Sequence, residues 1–458
     1  MSGWMVLLGG NPLNAGIAAY AASRGLRCIV VDWNEIPEVP GDLHIRMDIK
    51  DSRGVLEALS PYMKEILLAY TSADVATGTV AEVHRALGYV TPSDASLLLA
   101  RNKVEMNERW ERDGLLGKRF RKCFTLDDLK GFLDTEPSTA VVVKPALASS
   151  SRGVTVLPSR PGRSEVDRAF ERASKHDPAG IVLVEDFVEG TEFTVEMLGD
   201  SLGNVRVFGV SKKYHTHYAG TNRVATKLHY NPNDVTQNVK EELATFGSRC
   251  YTSLGLCACP GHFEVIRRLD GTLVPVEMAA RSSGFIISDL VDASLDRKGA
   301  FIDALRSVLD GSALKPGLEP ASNSSMYFFY DLPPGVWLGD AQGLLPFLPT
   351  GVRTLASDRK RLIAGSKFSS IDSDTERVGF EILAGPTSAL TIDSIFTAER
   401  GMLGDGMVSK EQFDPIKAVR MLRGSEINLS TSAWETLERS AKLDFDEFAQ
   451  IVCQGITA

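Results

Sequence analysis

The segment His262-Phe-Glu-Val-Ile-Arg-Arg-Leu-Asp-Gly-Thr-Leu-Val-Pro-Val-Glu-Met-Ala-Ala-Arg281 restricts the fold more than any other part of the chain. Two mostly apolar runs flank the turn signal Leu269-Asp270-Gly271, which reads as two successive antiparallel strands. Antiparallel pairing brings Glu264 and Glu277 to one face, side by side. Adjacent carboxylates repel unless a shared proton or a cation lies between them, so an oxygen-preferring divalent ion is the natural complement. Magnesium is commonly held by one or two carboxylates plus substrate phosphates. Arg281, just past this face, suits a bidentate grip on a substrate carboxylate, with a salt bridge to one of the two acids as the alternative.

Around this segment the chain is patterned as α/β followed by α+β. Over the first 95 residues, strands at Met5 to Leu8, Cys28 to Val31 and Ile66 to Tyr70 alternate with helices at Ala15 to Ser23 and Ala76 to Leu87, the mark of a Rossmann-like parallel domain. A dinucleotide site is open to such a domain, but Gly9-Gly10-x5-Gly16 is not the G-x-G-x-x-G spacing. Ser96 to Asp113 is helical and charged. Strands follow at Thr139 to Val143, Val154 to Leu157 and Ile181 to Val184, with a helix at Ser164 to Lys175. The runs Phe193 to Leu198, Val205 to Val210, Cys257 to Ile266 and Leu273 to Glu277 read as an antiparallel sheet, followed by a helix at Lys298 to Leu309. A Pro/Gly/Ser-rich stretch, Lys315 to Ser325, separates a β-rich segment starting at Met326 and a polar helix near Thr431 to Gln450. The expected domains are 1–95, 96–314 with a lid subdomain at about 120–190, and 326–458.

Three further segments carry chemistry. Lys144-Pro-Ala-Leu-Ala-Ser149-Ser150-Ser151-Arg152-Gly153 lies between two strands; its small residues let backbone N–H groups approach an anion, with positive charge at both ends. A flexible polar hairpin is the alternative. The apolar strand before Glu185-Asp-Phe187-Val188-Glu-Gly-Thr-Glu192 can present backbone groups and a carboxylate to a purine nucleoside, Phe187 or Val188 forming an apolar wall; a strand turn with solvated acids is the plainer reading. Lys212 to Tyr218 forms a basic loop with Arg223 downstream, in which Lys213, His215 or Arg223 could recognise an acid or act as base, or simply be solvated.

In this order and spacing the pieces resemble the ATP-grasp family of ligases, over roughly residues 5 to 310: an N-terminal α/β domain, a helix starting at Asn102-Lys103, a second lysine Lys144 before a small-residue lid, a Glu185 to Glu192 hinge, and the acid pair. The resemblance implies that Lys103 and Lys144 contact nucleotide phosphates under the Ala148 to Gly153 lid, that Glu185 and Val188 offer backbone hydrogen bonds to adenine, and that Glu192 holds the ribose. Glu264 and Glu277 would then carry magnesium, for which manganese can substitute, and Arg281 would face the acyl-phosphate or tetrahedral intermediate. Ala279 departs from the family's Asn, leaving one or two ions open, and the lid is Ser-rich where many members are Gly-rich. The implied activity is ATP-dependent joining of a small carboxylate, such as an amino acid, to an amine through an acyl-phosphate, releasing ADP and phosphate. A noncatalytic nucleotide- or metabolite-binding protein on the same fold is the alternative. A nicotinamide-dependent oxidoreductase rests only on the Gly9-Gly10 turn.

Composition narrows the partners. With 50 basic against 59 acidic side chains the net charge is −9, and no long basic run exists, which disfavours nucleic acid and anionic membrane as main partners. No stretch approaches the roughly 18 apolar residues that span a bilayer, and Met1 to Gly10 lacks a signal-peptide pattern. Six scattered cysteines fit a reducing cytoplasm. Small-molecule partners are therefore expected, with a homodimer as one assembly open to the chain. Cys250, Cys257, Cys259 and His262 could supply a zinc site, but they lack tight Cys-x2-Cys knuckles and read better as buried thiols.

Overall fold

The structure, a computed structural model, describes residues 3–136, 138–148, 151–216, 224–283, 287–339, 348–369, 371, 376–425, 427–439 and 443–456. The chain forms two compact units, one from Met1–Lys213 with Tyr230–Ser324, the other from Tyr214–His229 with Ser325–Ala458.

The first unit begins with β1 (Trp4–Leu8), β2 (Arg27–Asp32), β3 (Leu43–Arg46) and β4 (Ile66–Tyr70), a parallel sheet in the order β3-β2-β1-β4. Every residue of β1 is buried, as expected for a parallel strand covered on both faces. The predicted α/β start is therefore present, with β3 and the helix Ser52–Leu59 added to the elements read from sequence. Asp32, the acid that ends β2, accepts hydrogen bonds from Gly10 N at 2.6 Å and Asn34 N at 2.7 Å. It is thus satisfied by the backbone of the turns that follow β1 and β2.

The helical stretch from Ser96 to Asp113 is two helices, Asp94–Leu99 and Lys103–Arg112. Asn102 divides them: its side chain accepts from Val104 N at 3.1 Å and caps the second helix, the role short polar side chains favour over a helix interior. Lys103 is thereby fixed as the first residue of that helix.

Next come β5 (Phe120–Cys123), β6 (Val141–Pro145), β7 (Thr155–Leu157) and β8 (Val182–Asp186), an antiparallel sheet in the order β5-β8-β6-β7. The helices Leu126–Leu133 and Arg163–Lys175 pack on it around Leu129, Phe132, Val166 and Ala169. The third sheet uses β9 (Thr191–Gly199), β10 (Val205–Thr216), β12 (Pro260–Arg267) and β13 (Leu273–Ala279), while most of β11 (Val224–Tyr230) belongs to the second unit. Within the first unit its order is β13-β12-β9-β10, all antiparallel. The basic stretch Lys212–Thr216 is strand, part of β10, where the sequence suggested a loop.

Behind this sheet lies the helix Gln237–Ser253, absent from the sequence reading. It buries Leu243, Cys250 and Tyr251 against Met197, Phe263 and Trp110. Trp110 is fully buried and its indole N–H donates to Cys250 O at 3.2 Å; burying a side chain of this size contributes on the order of 2–3 kcal/mol. Cys250 and Cys259 are buried in this core, and Tyr251 OH donates to Cys259 O at 2.7 Å.

Two β-bulges decide which side chains share a face. From Arg267↔Leu273 to Val265↔Pro275 the β12–β13 hairpin is regular, and continuing it would pair Glu264 with Val276. The register instead shifts there, pairing Glu264 with Glu277. Pro275, which cannot donate to a ladder, sits at this bulge on the terminal strand, where proline is tolerated. A second shift between Val207 and Gly209 pairs Lys212 with Phe193, so that Lys213 turns to the Glu192 side of the sheet.

The second unit has a three-stranded sheet of Gly335–Trp337, Lys367–Phe368 and Met407–Ser409, strands Arg353–Asp358 and Phe380–Gly385 paired antiparallel, and helices Ile392–Gly406, Pro415–Gly424, Thr431–Arg439 and Phe445–Gly455. Its fully buried Lys227 is balanced by Glu399 at 2.9 Å. Among the described residues no helix is long and apolar enough to cross a membrane.

Gly190, between β8 and β9, passes so close to β12 that an added Cβ would lie 2.4 Å from Arg267 O. Gly190→Ala should therefore destabilise the protein by about 1–3 kcal/mol in urea unfolding; an unchanged midpoint would contradict this close approach.

Candidate active site

One face of the β13-β12-β9-β10 sheet collects Glu277, Glu264, His262, Glu192, Glu196 and Lys213. Glu264 stands opposite Thr194, His262 opposite Glu196 and Ile266 opposite Glu192. Lys213 Nζ donates to Glu192 Oε1 at 2.8 Å and to Glu264 Oε1 at 2.6 Å. Burial opposes ionisation of Glu264, but the Lys213 ammonium and the His262 imidazole overcome it and hold its pKa well below the usual carboxylate value. Burial likewise disfavours the Lys213 charge, and Glu192 and Glu264 more than restore it. His262 Nδ1 lies 2.6 Å from Glu196 Oε1; against the cost of burial, this carboxylate raises the imidazole to about 9.

Lys103 closes the face from the helix side. Its ammonium donates to Glu277 Oε1 at 3.0 Å and to Ala148 O at 2.6 Å, at the start of the small-residue loop. Among the described residues, the second carboxylate oxygens of Glu264 and Glu277 accept no hydrogen bond. The donor set available there, two facing carboxylates with free oxygens, fits a hard divalent cation such as magnesium. No group of three or more His, Cys, Asp or Glu side chains among the described residues is arranged to hold a metal, so the remaining donors would be phosphate and water. Ala279, at the departing position, is buried opposite His262.

Arg281 is engaged differently from the sequence alternative. Its partner is neither strand acid but Asp74, from the loop after β4, with Nε–Oδ1 and Nη2–Oδ2 both 2.7 Å. Nη1 donates to Ser282 O at 2.9 Å. Two of the five guanidinium N–H groups remain for a ligand. Tyr70 and Ser282 share a hydroxyl hydrogen bond beside it. Burial opposes ionisation of Asp74, but Arg281 outweighs it and lowers the pKa, while Asp74 in turn holds Arg281 above its ordinary value.

On the β5-β8-β6-β7 sheet, Lys144 Nζ lies 2.6 Å from Glu185 Oε1. Lys118, not singled out from sequence, lies 2.9 Å from Glu185 Oε2, and Asn107 donates to the same oxygen at 3.1 Å. Burial works against Glu185 ionising, yet the two lysines bring it to about 2; burial lowers Lys118 to about 8. Beyond Glu185 the hinge backbone is partly committed, Asp186 N donating to Arg119 O and Phe187 N to Ala140 O. Val188 N has no acceptor among the described residues.

The structure thus gathers Lys103, Lys213, Glu192, Glu264 and Glu277 on one face and Lys144 with Glu185 on another. In the small-residue loop, Ser151 and Gly153 have positive φ of 57° and 73°, and Arg152 is exposed. His215 falls in the second unit. Ser149, Ser150 and Arg223 lie outside the described residues. Lys118, Asn107, Asp74 and Glu196 are the charged or polar residues that the sequence reading passed over, although the loop holding Asp74 follows a parallel strand, where such folds place their ligand contacts.

Residues 137–289 match the family model described as the ATP-grasp domain. The chain carries an ATP-grasp domain. Its fold is similar to that of an L-amino acid ligase from Bacillus licheniformis, with 16% identity over 89% of this chain and 99% of that one and a TM-score of 0.68. It is also similar to an ADP-complexed N5-carboxyaminoimidazole synthetase from Staphylococcus aureus (14% identity, 88% of this chain and 96% of that one, TM-score 0.62). A third similar fold is the biotin carboxylase domain of the Hydrogenobacter thermophilus 2-oxoglutarate carboxylase, solved with MgADP and bicarbonate (15%, 89% and 92%, TM-score 0.63). At these identities the likeness shows the fold.

The Lys118–Glu185–Lys144 unit gives a pH-dependent prediction. Because the folded pKa of Glu185 lies below its unfolded value, its contribution to stability is complete above about pH 4.5 and is lost as the pH falls toward 2. Glu185→Gln should cost about 3–5 kcal/mol at pH 7, since it leaves buried ammonium groups unpaired. In urea titrations the gap to wild type should narrow below pH 4.5; a gap that stays constant with pH would refute the ion-pair account.

Proposed function

We propose that the protein is an ATP- and magnesium-dependent ligase that activates a small carboxylate as an acyl-phosphate and joins it to an amine, releasing ADP and phosphate. The observation that carries this reading is the direct pairing of Glu264 with Glu277, each already held to a lysine, Lys213 and Lys103, within an ATP-grasp domain.

In this reading a carboxylate oxygen attacks the γ-phosphorus and ADP leaves; the amine then attacks the acyl carbon, loses a proton, and expels phosphate. The transferring phosphoryl group carries charge on its oxygens, so positioning and electrostatics supply most of the rate. Lys103 and Lys144 donate to the phosphates, and Glu192 takes the ribose hydroxyls. Glu264 and Glu277 hold magnesium, which when bound offsets the charge on the phosphates. Arg281, kept in orientation by Asp74, turns its two remaining N–H groups to the oxygens of the acyl-phosphate. Lys213 neutralises Glu192 and Glu264 from below. The Ala148 to Gly153 loop shields the acyl-phosphate from water. An amino acid as the carboxylate is supported by the fold shared with the Bacillus licheniformis ligase.

The test is ADP release measured over pairs of carboxylates and amines, with hydroxylamine to trap the acyl-phosphate as a hydroxamate. Glu277→Ala should lower ADP formation at least about 100-fold with an unchanged circular dichroism spectrum. Because of the bulge, moving the carboxylate one residue back in Val276→Glu/Glu277→Val should not rescue it. Formation of AMP and pyrophosphate would overturn the reaction, and full activity of Glu277→Ala would overturn the metal assignment.

A further inference from the structure

The buried charge on the β5-β8-β6-β7 sheet does not balance. Lys118, Lys144 and Glu185 have side chains only 2%, 6% and 5% exposed. Two ammonium groups thus share one carboxylate, a surplus of one positive charge out of contact with water. Lys144 and Glu185 alone would form a neutral pair; Lys118 adds charge and desolvation cost that the fold does not require. Among the described residues each ammonium makes one hydrogen bond, to Glu185, so each has two N–H donors left over. Donors this deeply buried need acceptors, and the described residues do not supply them.

Register shows where the two lysines sit along β8. Lys144 pairs with Leu183, toward the small-residue loop. Phe120 pairs with Glu185, and two residues back along the antiparallel direction Lys118 comes level with Phe187, at the hinge. The backbone there is pinned: Arg119 grips Asp186 through Nε–Oδ2 at 3.1 Å and Nη2–Oδ1 at 2.7 Å, and its own N–H donates to Oδ2 at 3.1 Å. Lys118 therefore reaches Glu185 from the hinge end of the sheet face and Lys144 from the loop end.

We propose that Lys118 is a base-reading residue of the nucleotide site, donating from the hinge end to a ring acceptor of the purine. This rests on the nucleotide reading above and names a contact within it. Glu185, an acceptor beside Lys118, suits an amino group next to that ring nitrogen and repels a carbonyl, so the edge being read is that of adenine and not guanine. Burial of Lys118 lowers its pKa to about 8, which keeps a donor present across the neutral range while reducing the cost of sequestering it.

The test is calorimetric titration of Lys118→Met with ATP, ADP and adenosine, which share only the nucleoside. Binding of all three should weaken by the same factor, about 10-fold or more, while Lys144→Met should weaken ATP and ADP more than adenosine. A loss confined to ATP and ADP would place Lys118 on the phosphates and overturn the proposal. Unchanged affinities with only an altered melting temperature would overturn it in favour of a structural role. Should Lys118→Met fail to fold, Lys118→Gln carries the same measurement. If wild type binds none of the three, the nucleotide reading falls and the proposal with it; if wild type binds and Lys118→Met binds equally well, only the proposal falls.

Discussion

The candidate site depends on two one-residue register shifts in a single antiparallel sheet. Side chains on a strand alternate with a period of two, so one extra residue moves everything beyond it to the opposite face. Without the shift beside Pro275, Glu277 would turn to the core side with Phe263. Without the shift between Val207 and Gly209, Lys212 would occupy the place of Lys213. The first bulge assembles the acid pair and the second supplies its cation. Bulges are common beside active sites because they aim side chains where regular pairing would not.

This dependence explains what could and could not be read from the chain. The hairpin, the acid pair and the parallel start were legible, since apolar runs, turn residues and strand-helix alternation are local signals. The facing of Glu264 and Glu277 was anticipated, but regular counting from the Asp270-Gly271 turn would have denied it; the bulge was not readable. The break at Asn102 was hidden inside a helical charge pattern, and only the family resemblance placed a helix start at Asn102-Lys103. The helix Gln237–Ser253 was missed because its apolar positions are spread among Lys, Glu, Arg and Thr, and only packing on Met197 and Phe263 reveals its buried stripe. Asp74 and Lys118 escaped for another reason. Their partners, Arg281 and Glu185, are distant in sequence, and no local pattern encodes a contact between segments so far apart in the chain.

A second theme is that the acids around the site carry cations of their own chain: Glu264 and Glu192 share Lys213, Glu277 has Lys103, Asp74 has Arg281, and Glu185 has Lys118 and Lys144. The net charge of −9 therefore says little about what this face attracts. An exposed ion pair contributes little, but these are largely buried, where removing one partner leaves an uncompensated charge. Partners held this way stay in place until a ligand offers a better exchange.

On the proposed function that exchange has a definite sense. A nucleotide brings phosphates, which compete with carboxylates for ammonium groups, and a divalent cation, which competes with ammonium groups for carboxylates. As Lys103 turns from Glu277 toward a phosphate, the carboxylate it leaves needs a new positive charge, and the cation arriving with the phosphates supplies it. Neither exchange is favourable alone, since each strands a partly buried charge. Together they conserve the balance, so nucleotide and metal should bind in a mutually dependent way. With Lys144 turned to the phosphates, Lys118 and Glu185 remain as a balanced ion pair outside this exchange. On the proposed contact, the N–H donors left on Lys118 meet the base, a part of the nucleotide that does not change during the reaction.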